Sequence, residues 1–233
     1  MLVTWKFSGT AGIAMACVAY TLLLGINLRL DQAQAGFAYV IWEGLIRLAT
    51  AILIAFVLSR LRDSLTREHL QARTDALTGL ANRSAFYAAA NQELSRCRRY
   101  GGVLSIVFID LDNFKELNDR YGHHTGDEAL QLVAATLREQ LRNTDVPGRI
   151  GGDEFAIMLT QAGAGAASQA TRALQARLLA AMQDRQWSVT FSSGLATFEK
   201  MPESVDDMMK RADALMYEAK QGSKGSVRER VFS

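Results

Sequence analysis

The sequence carries almost no excess of charge: 26 Lys and Arg stand against 24 Asp and Glu in 233 residues, a net +2. A nucleic-acid-binding protein would normally show a basic excess or stripe, so that class is disfavoured and no nucleic-acid partner is expected. Cysteine is scarce. Cys17 lies in an apolar run and Cys97 before a basic cluster, neither in a C-x-x-C pair. The spacing therefore offers no metal site, and both read as free thiols of a reducing compartment. Internal repeats are absent. Charge is missing altogether from residues 9–28 and nearly so from 37–58, while the rest of the chain has the composition of one ordinary soluble domain of about 150 residues.

Each apolar run is long enough to cross a bilayer. The first has a signal peptide as its competing reading, but its apolar core is too long and no small-residue cleavage signal clearly follows. The second contains Glu43 and Arg47, four apart on one helix face and so able to pair. The expectation is a transmembrane helical hairpin over residues 1–58; the alternative is one span followed by a partly interfacial helix. Lys6 precedes the first run, and Arg60, Arg62, Arg67 and Arg73 follow the second, which puts both termini in the cytoplasm. The connecting loop, 29–36, is too short to be a folded sensor. Residues 59–73 lack Gly and Pro and read as a helical linker. Leu58, Leu61, Leu65 and Ala72 approach coiled-coil spacing, and an amphipathic linker lying on its own domain fits equally well. His69 reads as a solvated linker residue.

The remainder, 74–230, alternates helices and strands. Asn82 is placed to cap a helix that ends at Gly101-Gly102. Residues 103–109 are a buried-strand run ending in Asp110. A short helix is expected over 113–120 and a longer one opening at Asp127, followed by a strand into a glycine turn and a returning strand over 155–159. An Ala-rich helix spans 164–183, one or two strands lie within 187–198, and a last amphipathic helix spans 203–220. This pattern gives an α/β or α+β sandwich with one sheet, and does not by itself choose the topology.

The most informative stretch is Gly151-Gly152-Asp153-Glu154-Phe155. Glycines tolerate backbone angles other residues avoid and let a chain approach a ligand closely. If Asp110 comes beside Asp153 and Glu154, the three make a hard-oxygen cage for Mg²⁺ of the kind that holds nucleotide phosphates. The plainer reading of the pentapeptide alone is a solvated hairpin turn with acidic tips.

Three further motifs accompany it: Asp110-Leu111-Asp112-Asn113-Phe114-Lys115-Glu116-Leu117-Asn118-Asp119, continuing to Gly126-Asp127; Asp75-Ala76-Leu77-Thr78-Gly79-Leu80-Ala81-Asn82-Arg83; and Ala212-Asp213-Ala214-Leu215-Met216-Tyr217-Glu218-Ala219-Lys220. Together, in this order and spacing, they resemble the GGDEF family of diguanylate cyclases, which make cyclic di-GMP from GTP. The resemblance runs from about residue 74 to 227. It implies a ferredoxin-like, palm-type nucleotide cyclase domain, working as a homodimer because each subunit binds one GTP. It also implies Mg²⁺ (or Mn²⁺) as cofactor and, with the apolar runs, a place in the bacterial inner membrane with the catalytic domain in the cytoplasm.

Residue by residue, the resemblance makes Asp110 and Asp153 metal-binding acids, with the backbone carbonyl of Leu111 adding a ligand. Asp153 also occupies the proton-acceptor position, and Glu154 assists. Asn118 and Asp127 match a guanine-contacting pair. A carboxylate accepts from guanine N–H groups that adenine lacks, and a buried acid left unpaired discriminates strongly. Taken singly, both would more often be helix caps. His123 matches a substrate-pocket position; His124 does not. Lys115, Lys220 and Lys224 match basic positions near the phosphates, where lysine acts as a mobile point charge. Lys224 is the softest match, because Gly222-Ser223-Lys224-Gly225 departs from the usual flanking residues, Gly and Asn. Arg142 and Asp145 match an R-x-x-D site that binds product cyclic di-GMP and inhibits, an exposed ion pair being the plain alternative. Asp112 could share the face of Asp110 in a continuing strand or cap the next helix. Arg149 reads as structural. The rival functions are an effector that binds nucleotide without turnover, a membrane-bound interaction module, and a cyclase with a mononucleotide product.

Overall fold

The structure, a computed structural model, describes residues 37–71 and 73–233, at the level of the backbone alone for 37, 38, 40 and 61–71. The expected first span, the loop after it, Lys6 and Cys17 lie outside the described residues. Two compact units divide at Gln71 and Ala72.

The first unit contributes helix α1, Phe37–Gln71, 35 residues without a break. At 1.5 Å per residue it extends about 50 Å. The expected second span, 37–58, and the expected linker as far as Gln71 thus form one continuous helix. Ile41–Arg60 is long and apolar enough to cross a membrane, by length and composition. Trp42, Leu45, Ile52, Leu53 and Phe56 are all exposed. Within this stretch Arg47 pairs with Glu43 one turn away, the pairing their spacing predicts.

The second unit is built on β2, Leu104–Asp112, whose nine residues are all buried. Its alternation sends Leu104, Ile106 and Phe108 to one face and Val107, Ile109 and Leu111 to the other. Beside it lie β4, Glu154–Thr160, and β5, Thr190–Phe198, both antiparallel to it. Outside β4 is β3, Val146–Arg149, then the two-residue β1, Ala81–Asn82. Outside β5 is β6, Val227–Phe232. The sheet order is β1-β3-β4-β2-β5-β6. Because β3 and β2 are each antiparallel to β4, they run the same way on either side of it. This is the ferredoxin-like arrangement.

Four helices cover the two faces. Helices α4, His123–Gln140, and α5, Ala164–Asp184, pack on the face holding Val107, Ile109, Leu111 and Phe155. Helices α2, Arg83–Tyr100, and α6, Val205–Gly222, pack on the face holding Ile106, Phe108 and Phe198. Asn82 caps α2, its side chain accepting from Ala85 N at 2.9 Å. Ser204 does the same for α6 through Asp207 N at 3.1 Å. Helix α6 lies very close to β5 at Gly194, where a Cβ would stand 2.1 Å from the carbonyl oxygen of Ala212. Glycine is what allows that approach, and the approach brings the end of α6 over the end of β2. Cys97 is buried in α2, and burial, followed by the charge of Glu93, pushes its thiol up, which disfavours the nucleophilic thiolate.

Several expected boundaries move. Helix α4 opens at His123, four residues before Asp127, so Gly126 is inside it and buried. Residues 187–198 give one strand. Strands β1 and β6 carry little periodic signal and were not expected, and the domain's last strand ends at Phe232, two residues past the expected limit.

Candidate functional site: an acidic strand end beside a helical hairpin

Antiparallel pairing sets Asp110 of β2 directly across from Glu154 of β4, so the two side chains share the face covered by α6. The backbone N–H of Leu111 donates to the carbonyl oxygen of Asp153 at 3.2 Å, tying the glycine turn to the end of β2. Asp110, Asp153 and Glu154 thus gather at one end of the central strands. The turn is closed by Ile150 N and Gly151 N donating to Glu154 O, at 2.9 and 3.3 Å.

The expectation that the paired glycines take angles forbidden to other residues is not met: neither Gly151 nor Gly152 has a positive φ. Their reason is space. A Cβ on Gly151 would lie 2.3 Å from Glu154 Oε2, so the glycine makes room for that carboxylate. Gly152 has nothing within 4 Å and leaves an open approach.

Lys220, near the end of α6, donates to Asp110 Oδ1 at 2.7 Å. Burial pushes the Asp110 carboxyl above its ordinary range against the bond and charge of Lys220, with smaller repulsion from Asp153 and Asp112 acting in the same direction as burial. Glu154 is raised by burial first, then by Asp110, Asp153 and Asp213. Burial acts to lower Lys220, but its bond to Asp110 and the neighbouring acids carry it upward instead. The group is therefore a partly buried excess of negative charge with one resident cation. Among the described residues no three His, Cys, Asp or Glu side chains form a ready-made metal cluster. Two carboxylates and a backbone carbonyl fit a hard divalent ion that keeps some of its water and takes other ligands from substrate phosphates. The Leu111 side chain is buried in the core of the opposite face, as its expected role through the backbone requires.

Beyond β2 the chain forms α3, Phe114–Tyr121, and turns at Gly122, φ 86°, into α4. Asn118, at the end of α3, faces Gly126 in the first turns of α4. A Cβ on Gly126 would stand 2.0 Å from Asn118 Oδ1, which is buried and has no hydrogen-bond partner. Asp127 follows on the exposed side. The hairpin sets Asn118 against the helical turn that carries Asp127 and leaves a buried polar atom without a mate. His123 and Lys115 are exposed at the first turns of α4 and α3, outside the hydrogen-bonded cluster. Lys224 lies in the loop after α6 and donates to Asn113 Oδ1 at 2.9 Å, which brings it to the end of β2.

Asp112 continues β2 on the face of Asp110, the first of its two expected places, and its oxygens are filled by Thr190 Oγ1, Ser192 Oγ and Gly225 N at 2.9–3.0 Å. It does not cap α3: Asn113 precedes that helix in a left-handed conformation without a side-chain cap. Arg149 is a brace, as expected, donating to Asp75 Oδ1 at 3.1 Å and to the Gly152 carbonyl at 2.7 Å. Burial favours protonating Asp75, but the hydroxyl and N–H of Thr78 and then Arg149 take its carboxyl below the ordinary range.

The R-x-x-D residues are on the loop between α4 and β3. Asp145 closes the loop, accepting from Arg142 N and Thr160 N, both at 3.2 Å. The two side chains do not form the ion pair of the plain alternative. They border a cavity walled by Leu141, Leu159, Ala166 and Ala170.

Residues 72–226 match the family described as "Diguanylate cyclase, GGDEF domain", and the chain belongs to that family. Among curated relatives, it is 37% identical over 157 residues to diguanylate cyclase DgcP of Pseudomonas aeruginosa, covering 66% of this chain and 23% of that one. It is 35% identical over 177 residues to diguanylate cyclase TpbB of the same species, covering 73% and 40%. A cyclic di-GMP phosphodiesterase, NbdA, matches at 36% over 157 residues, 64% of this chain and 19% of that one. The chain thus spans well under half the length of these relatives. Among solved structures, the GGDEF domain of DgcB from Caulobacter crescentus in complex with c-di-GMP superposes with a TM-score of 0.61 at 29% identity, over 68% of this chain and 93% of that one. The GGDEF domain of TpbB from Pseudomonas aeruginosa gives 0.60 at 35%, over 67% and 93%.

Proposed function

We propose that this chain is a diguanylate cyclase, joining two GTP into cyclic di-GMP with release of two pyrophosphates. The observation that carries the reading is the pairing of Asp110 with Glu154, the Leu111–Asp153 backbone bond locking the glycine turn beside them, and Lys220 over the acids. Family membership alone does not carry it, since a relative named as a cyclic di-GMP phosphodiesterase also matches 64% of this chain.

In this reading Asn118 and Asp127 take the guanine edge, and the partnerless Oδ1 of Asn118 supports a ligand there. Lys115, Lys220 and Lys224 neutralise phosphate oxygens, and His123 borders the pocket. Asp110, the Leu111 carbonyl and Asp153 hold the divalent cation on which cyclases of this family depend, Mg²⁺ or Mn²⁺. When bound, it neutralises phosphate charge and acidifies the attacking 3′-hydroxyl. In this reading Asp153 accepts that proton and Glu154, whose carboxyl is raised by burial, assists. One domain binds one GTP, so the two half-sites meet across a two-fold axis of a homodimer. Arg142 and Asp145, beside their cavity, bind product and inhibit. Helix α1 anchors the chain in the bacterial inner membrane, with the catalytic domain in the cytoplasm.

The test is direct. The full chain in detergent, with GTP and Mg²⁺, is expected to yield cyclic di-GMP by mass at a rate that rises faster than linearly with protein concentration. Asp153→Asn is expected to abolish turnover while thermal unfolding stays unchanged. No product from concentrated protein, or a mononucleotide product, refutes the assignment.

A further inference from the structure

The loop between α6 and β6 carries Lys224, and it is gripped from two sides by residues given no role so far. Asp112 is 1% exposed and has no ion-pair partner among the described residues. A buried carboxylate is costly unless its oxygens are filled. Here neutral donors fill them: two hydroxyls from β5 and the N–H of Gly225 at 3.0 Å. The carbonyl of the same Gly225 accepts from Gln175 Nε2 on α5 at 2.7 Å. Gln175 is also buried, and its Nε2 donates a second bond to Phe191 O at 3.0 Å. Both donor hydrogens are committed to carbonyls, which fixes the orientation of the amide and leaves Oε1 without a partner. Gly225 itself has φ +77°, a conformation that favours glycine.

One residue of one loop is therefore held at its N–H by the central strand and at its carbonyl by a helix on the opposite face of the sheet. The neighbour so fixed is Lys224, whose ammonium rests on Asn113 Oδ1, beside Asp112. Lys220 stands one turn earlier at the end of α6, on Asp110. The carboxylate of Asp112 and the amide nitrogen of Gln175 are both committed to bonds within the protein.

We infer that Asp112 and Gln175 are positioning residues which clamp the Lys224–Gly225 segment and preset Lys220 and Lys224 as a pair of cations for the triphosphate of the nucleotide. The inference rests on the reading of these lysines as phosphate contacts. A purely structural role for the clamp predicts lower stability with unchanged ligand preference; a positioning role predicts a defect specific to the phosphates.

The experiment measures binding of two probes to the full chain in detergent with Mg²⁺: the α,β-methylene analogue of GTP, which carries the triphosphate, and guanosine, which does not. The variants are Asp112→Asn, Gln175→Met and Gly225→Ala. The last adds a Cβ no nearer than 3.5 Å to any neighbour and disturbs the loop only through its φ. Each variant is expected to weaken the analogue about tenfold, the effect of a weakened hydrogen bond to a charged group, and to leave guanosine unchanged. Equal weakening of both probes, or no weakening of the analogue in Gly225→Ala, overturns the inference even if Asp112→Asn or Gln175→Met fails to fold. Wild-type protein that binds both probes equally also overturns it. Wild-type protein that prefers the analogue but makes no cyclic di-GMP refutes the cyclase reading and leaves this one standing.

Discussion

Gly126→Ala separates stability from function more cleanly than any other single change in this domain. Gly126 lies within α4, where alanine is favoured over glycine by about 1 kcal/mol. On propensity alone the substitution stabilises. Its Cβ, however, would stand 2.0 Å from Asn118 Oδ1, 2.9 Å from Asn118 Cγ and 3.2 Å from Phe114 Cζ. Carbon and oxygen do not approach within about 3 Å without strain, so the Asn118 amide must swing away by about 1 Å or more. It has a way out, since its oxygen holds no hydrogen bond in the fold. The helical hairpin is therefore retained, and under the proposed role of Asn118 a bound guanine loses a correctly placed partner. Removing one such contact costs about 1–3 kcal/mol, a rise of about 5- to 150-fold in the KM for GTP. The assay pairs a thermal melt with initial rates over a range of GTP. The expected result is a melting temperature equal to or above that of the wild type, with the KM raised by at least about fivefold. A variant with the wild-type KM refutes the assignment of Asn118. A variant whose melting temperature falls sharply refutes the view that the amide can yield.

Three further outcomes follow from the same geometry. Asp75→Asn is expected to lower stability by about 1–2 kcal/mol at pH 7 by weakening the bonds from Thr78 and Arg149. Because the folded carboxyl is depressed, that stability is present above its unfolded pKa and disappears as pH falls through the lower folded value, so the variant and wild-type urea midpoints should converge in acid. Glu154→Gln has the opposite sign. The carboxyl is raised by burial and by neighbouring acids, so its ionised form destabilises the metal-free domain as pH rises above the unfolded pKa. The variant should melt higher than wild type at pH 8 in a chelator, and the gap should close in acid; a lower melting temperature at pH 8 contradicts the account. Gly194→Ala places a Cβ 2.1 Å from Ala212 O and 2.3 Å from Met216 N, both backbone atoms of a packed helix. It should cost about 3 kcal/mol, read as a shift in urea midpoint, because neither neighbour can rotate away.

What the sequence makes legible here depends on how local the signal is. The buried run of β2, the capping asparagine before α2 and the acids at the strand end are local patterns, and the structure has each. Strands β1 and β6 are edges with a two-residue span or a charged exterior, Arg228-Glu229-Arg230, so no periodicity marks them. Gly126 misleads because glycine ordinarily starts or ends a helix, and its real reason, the close face of Asn118, is a tertiary contact. Gly151 misleads in the same way. The clamp on Gly225 is invisible in one dimension, since Asp112 and Gln175 stand 113 and 50 positions away from it. A signal did exist for Asp112: an acid ending a largely apolar, buried strand needs donors from somewhere, and Thr190, Ser192 and Gly225 supply them.

The position of β2 has a consequence for how this domain comes apart. All nine of its residues are buried and it has a partner along both edges, so its amides are released from protection only when the whole sheet opens. Asp110 is near the end of that strand, whereas the hairpin carrying Asn118 and Asp127 lies at the surface. Asp110 is thus fixed to a strand expected to exchange slowly, and the residues proposed to read the base to a part expected to exchange faster. Fraying of the domain under mild denaturant would dim its preference among nucleotides before it disturbed its charge.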